Sequence, residues 1–128
     1  MRFLFDTQLL VWLVAAPGRL PGGARGILDD GAERVSWSAV SVWEVAIKAA
    51  LGRPDFVIDV NDFLAVLRQS PLTGLPMVAE HALPVTSLPP LHKDPFDRLL
   101  LAQAVADGMT LVTADRQLPG YPVPIRRV

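Results

Sequence analysis

The stretch DPFDRLLLAQAVADG, residues 94–108, constrains the fold more than any other part of the chain. Asp94 stands at a helix N-cap, Pro95 at the first helical position and Gly108 just past the last turn. MTLVTAD follows at once, a short apolar strand running into a polar turn. A helix feeding directly into a strand is half of a crossover unit, the connection that parallel strands require.

The same alternation recurs upstream. RFLF (2–5) reads as a strand and TQLLVWLVAA (7–16) as a helix, with Asp6 or Thr7 able to cap it and Pro17-Gly18 to stop it. A second helix is expected over 22–30, ending at Gly31, and a strand over 33–37. Val42, Val45, Ala46 and Ala49 recur at helical spacing within 38–52, where Gly52 is a natural stop. A further helix runs from Asp59 or Asn61 to Gln69; 72–78 is ambiguous and holds a short strand at most. Residues 79–83 make one helical turn or more, TSLPPLHK is a loop, and YPVPIRRV closes the chain with an edge strand. The expectation is one α/β domain over 1–128, a three-layer α/β/α sandwich around a mainly parallel sheet.

Bulk numbers agree with one folded domain: 128 residues, 51% hydrophobic and 20% charged. A net charge of -1 does not advertise nucleic-acid binding, so any RNA would need local basic residues or a metal. The absence of cysteine removes disulfides, thiolate nucleophiles and Cys-built zinc sites, and fits a cytoplasmic protein. Asp6 and Gln8 interrupt the N-terminal apolar run, which is far short of the ~20 residues of a membrane span.

Four carboxylates fall at informative places. In an open α/β sheet, ligands bind beyond the carboxyl ends of the strands. Asp6 and Asp115 lie at such ends; Glu44 and Asp97 lie near helix starts on the same side. Parallel strands would let all four converge on one pocket. Clustered acids repel one another unless a cation relieves them, and hard oxygen ligands suit Mg²⁺ or Mn²⁺. Each acid also has a structural reading. Asp6 can cap a helix, Glu44 can close a capping box with Ser41 or pair with Lys48, Asp97 favours a helix dipole, and Asp115 suits a turn. Lys48, Lys93, Arg98 and Arg116 could hold phosphates or form surface ion pairs. His81 and His92 lack partners at metal-ligand spacing, and Ser36, Ser38 and Ser41 lack a G-x-S-x-G elbow. Gly22, Gly23 and Gly26 do not open a P-loop. Trp12, Trp37 and Trp43 read as core residues ahead of base-stacking platforms.

LFDTQLLVW, SAVSVWEVAIKAALG, HKDPFDRLLLAQAVADGMTLVTAD and PVPIRRV, in that order, resemble PIN-domain proteins, and more narrowly the VapC-type toxins of toxin–antitoxin pairs. The resemblance spans essentially the whole chain. It implies an endoribonuclease with an acidic Mg²⁺ or Mn²⁺ pocket, blocked by a small cognate antitoxin. By the same likeness Asp6, Glu44 and Asp97 match the three core acids, Asp115 matches a fourth, and Asp94 matches a recurrent acid with capping duty. Thr7 and Thr113 match pocket-lining polar residues, and Gln8 stands where this subgroup often has His. The first helix and the helix near 59–69 are expected to frame an antitoxin groove or a homodimer face. Two alternatives stay open: a PIN-like interaction module without catalysis, and a phospho-receiver domain. The second would want two adjacent acids after the first strand, where the chain has Phe5-Asp6-Thr7.

Overall fold

The computed structural model describes residues 1–91 and 94–128, Pro119 by its backbone alone. Among the described residues there are five strands: β1 (Phe3–Phe5), β2 (Val35–Ser38), β3 (Thr73–Leu75), β4 (Thr110–Thr113) and β5 (Ile125–Arg127). They form one sheet in the order β3-β2-β1-β4-β5, and every pairing is parallel. Six helices connect them: α1 (Thr7–Ala15), α2 (Gly22–Gly31), α3 (Ala39–Ala50), α4 (Val60–Gln69), α5 (Ala79–Ala82) and α6 (Pro95–Asp107). This order differs from the 2-1-3-4-5 arrangement of receiver domains, which counts against that alternative.

Alternation along the strands sets the layers. Phe3, Phe5, Val35, Trp37 and Val112 point to one face, where α1, α2 and α4 cover them through Leu9, Leu10, Ala24, Ile27, Phe63 and Leu67. Leu4 and Leu111 point to the other, against Leu100, Leu101 and Ala104 of α6. Residues 100–104 of α6 are buried without a break, so this helix is sealed on more than one side. The expected sandwich is therefore present, with β1 at its centre and β5 at an edge.

Local details differ from the sequence expectation. Residues 33–34 belong to a 3-10 turn (Ala32–Arg34), and the strand begins at Val35. Part of the expected loop TSLPPLHK is ordered as a 3-10 turn (Leu83–Ser87). The Ser41–Glu44 capping box does not form. Ser38 caps α3 instead, its hydroxyl accepting from the Val40 N–H at 3.0 Å. Trp43 is 56% exposed rather than core. No helix among the described residues is long and apolar enough to cross a membrane.

Candidate metal centre

Chain winding reverses between β1 and β4, and the segments leaving their carboxyl ends open a crevice there. A pocket of about 310 Å³ occupies it. Asp6, Glu44, Asp97 and Asp115 all line it, joined by Thr7, Gln8, Lys48 and Asp94. Val11, Trp12, Phe56 and Ala114 add apolar lining.

Asp6 is the most constrained of the acids. Its backbone N–H donates to Val112 O at 3.0 Å, tying the end of β1 to β4. Its Oδ1 caps α1 by accepting from the Leu9 N–H at 3.0 Å, and its Oδ2 accepts from Thr113 Oγ1 at 2.5 Å. Capping and pocket membership thus coexist in one side chain. Burial pushes the Asp6 carboxyl up to about 6; the bonds from Thr113 and Leu9 oppose this, and the charges of Glu44 and Asp115 add to it.

Glu44, also buried, accepts from Lys48 Nζ through Oε2, one helical turn apart. Its Oε1 is buried with no hydrogen-bond partner among the described residues. Asp94 caps α6 by accepting from the N–H groups of Phe96 (2.8 Å) and Asp97 (3.3 Å), which fixes the turn carrying Asp97. Asp115 is held by a bond from its own N–H to Thr113 Oγ1 at 3.0 Å, and its Oδ1 accepts from the Gln117 N–H at 2.8 Å. The Thr113 hydroxyl therefore bridges two of the four acids. Thr7 Oγ1 is 2.9 Å from Ser41 Oγ, joining α1 to α3 behind the pocket, while Gln8 is exposed at its mouth.

Other sequence candidates lie elsewhere. Arg98 donates to the carbonyls of Val85, Leu88 and Pro89 and to Tyr121 Oη at 2.9–3.4 Å, clamping the segment before α6. Arg116 is exposed and outside the pocket lining. Lys93 and His92 lie outside the described residues. His81 is buried, its Nε2 2.9 Å from Asp107 Oδ2, and serves α5 and α6. Replacing Arg98 with Met is expected to lower stability by about 2–3 kcal/mol in urea unfolding, because several carbonyls lose a charged donor. An unchanged midpoint would mean that these bonds add no net stability.

Sequence reasoning did not bring Val11, Phe56 and Ala114 to the site, and it read Trp12 as core. Apolar residues in a helix or loop carry no mark of the cavity they border; only the loop before α4, with Phe56 beside Val57, hints at one.

Among the described residues no group of three or more His, Asp or Glu side chains is already gathered closely enough to hold a metal ion unaided. The donor chemistry nonetheless fits a hard cation. The acids offer carboxylate oxygens, one of them buried without a partner, and the charges of Glu44 and Asp115 add to the rise that burial imposes on Asp6.

The PIN-domain family model matches residues 3–123. The chain is 34% identical over 120 residues to ribonuclease VapC22 of Mycobacterium tuberculosis, covering 92% of this chain and 90% of that one. Similar solved structures include VapBC2 of Rickettsia felis bound to a promoter DNA fragment, with a TM-score of 0.73, 16% identity and coverage of 99% and 98%. DNA-bound VapBC of Salmonella typhimurium aligns with a TM-score of 0.71, 18% identity and the same coverage of 99% and 98%. At these identities the two structures speak to the fold alone. The family match and the identity to a full-length relative go further: the chain belongs to the PIN-domain family, in its VapC-type branch.

Proposed function

We propose that the protein is a metal-dependent endoribonuclease acting in the cytoplasm, the toxin of a toxin–antitoxin pair held in check by a cognate antitoxin. The observation that carries the activity is the meeting of four carboxylates from four separate segments in one pocket, one of them with a buried, unpartnered oxygen. The name of the mycobacterial relative supports RNA as substrate. The titles of the two VapBC structures support a protein partner.

Asp6, Glu44, Asp97 and Asp115 would hold Mg²⁺ or Mn²⁺. Magnesium typically keeps several waters and takes only one or two carboxylates beside substrate phosphates, so three preassembled ligands are not required. When bound, the ion lowers the pKa of a coordinated water and offsets charge on phosphate oxygens. The chain's own contribution is placement. Thr113 and the α1 cap orient the Asp6 carboxylate, Lys48 holds Glu44, and the Asp94 cap fixes the turn bearing Asp97. Hydrolysis proceeds without a covalent enzyme intermediate, in keeping with a pocket lined by no thiol and no activated serine.

RNA cleavage is expected with Mg²⁺ or Mn²⁺ and absent in EDTA. Glu44→Gln should reduce it by at least the roughly 10–100-fold that losing an outer partner of a metal site costs. Cleavage surviving both treatments would defeat the mechanism. Native mass spectrometry with and without the antitoxin separates monomer, homodimer and complex, counted in units of 13.9 kDa.

A further inference from the structure

The acidic pocket does not end at its carboxylates. Along α1 it continues into a second groove of about 270 Å³, and Gln8, Val11, Trp12 and Phe56 line both spaces. Arg19 sits over the Trp12 ring with its guanidinium carbon 5.4 Å from the centroid. It is exposed and forms no ion pair among the described residues. Trp12 packs partly on the core through α1, but that packing does not account for a cation stacked on its ring. Phe56 is only half-buried, and the neighbouring Val57 is 86% exposed.

We propose that this groove is a nucleobase subsite. A base of single-stranded RNA, next to the phosphate in the acidic pocket, stacks on Phe56 beside Trp12, while Arg19, seated over the Trp12 ring, meets the adjoining phosphate through its N–H edge. The inference rests on the RNA-hydrolysing reading above and extends it to how the strand is held. Unpaired RNA is recognised through aromatic faces and arginine planes, because every base offers a π-face while duplex bases do not. A chain of net charge -1 has no bulk attraction for RNA, so its grip must come from local features of this kind. Asp55 also lines the groove. An acid there disfavours a phosphate and can accept from a base amino group, which sets the base rather than the backbone on that side.

The test uses the full chain in Ca²⁺ buffer, chosen to suppress turnover, with a fluorescent six-residue RNA and its abasic counterpart, read by anisotropy. The wild type should bind the intact RNA about 5–10-fold more tightly than the abasic one, in line with aromatic stacking. In Phe56→Ala that ratio should fall toward one. In Arg19→Gln, a surface change that spares the core, both RNAs should bind more weakly. A parallel cleavage assay on long RNA in Mg²⁺ separates two failures. If the wild type neither binds nor cuts RNA, the activity reading falls and the subsite with it. If the wild type cuts RNA but both variants bind like the wild type, the subsite alone is overturned. Unchanged RNA binding with weakened antitoxin binding would mark the groove as a protein-docking face and also overturn it.

Discussion

Asp6→Asn should make the metal-free protein more stable at pH 7.5 while abolishing metal-dependent RNA cleavage. The Asp6 carboxyl is pushed from its ordinary 3.8 up to about 6, chiefly by burial and then by the charges of Glu44 and Asp115. Between those values the folded protein holds a proton that the unfolded chain has released. The contribution of Asp6 to stability is therefore greatest below about pH 4, falls as the pH rises to about 6, and stays flat above it. A shift of about two units corresponds to roughly 3 kcal/mol. Asparagine removes the charge and remains a good helix cap, so the bond from Leu9 survives. The contact with Thr113 is weakened, which offsets part of the gain. A net rise of about 1–2 kcal/mol, or ~3–8 °C in Tm, is expected at pH 7.5, and the fall between pH 4 and 6 should vanish. If Asp6→Asn melts below wild type at pH 7.5, capping by the charged group outweighs its desolvation and the functional reading of Asp6 weakens.

Lys48→Met is expected to act in the opposite direction. The Lys48 ammonium is the cation paired with Glu44, whose other oxygen has no hydrogen-bond partner among the described residues. Without it a buried carboxylate stands uncompensated, a loss of 3–5 kcal/mol for a fully buried pair. Lys48 is about a third exposed, so water screens part of this and ~2–3 kcal/mol is the expected loss in urea unfolding. Adding Glu44→Gln to Lys48→Met should restore most of it. Millimolar Mn²⁺ should also raise the midpoint of Lys48→Met more than that of wild type, because bound metal and ammonium compensate the same carboxylate. Equal shifts in the two proteins would mean that Glu44 is not a metal ligand.

The layers were legible because strand and helix periods differ. Phe3 and Phe5 against Leu4 declare a two-sided central strand, and Asp94, Pro95 and Gly108 mark α6 at both ends. β3 was ambiguous for a physical reason: an exposed three-residue edge strand containing Gly74 has almost no buried face to leave a pattern. The capping box at Ser41 failed because Ser38, at the strand's end, reached the helix start first and left Ser41 to bond Thr7. For the site, the i, i+4 spacing of Glu44 and Lys48 foretold their pair. The aromatic wall was hidden, since Trp12 on an apolar helix looks like core until its exposed Arg19 partner is seen.

The bond between Thr113 and Asp6 joins residues 107 apart in sequence. Contacts of such separation form late, because the long intervening loop must first be closed. Since β4 must also pair with β1 before Asp6 is fixed, a growing chain has no assembled pocket until Thr113 has left the ribosome. A chain cut short before β4 would carry Asp6 and Glu44 and still lack the site. Three of the four acids precede β4 in the chain, and their common place waits for that strand.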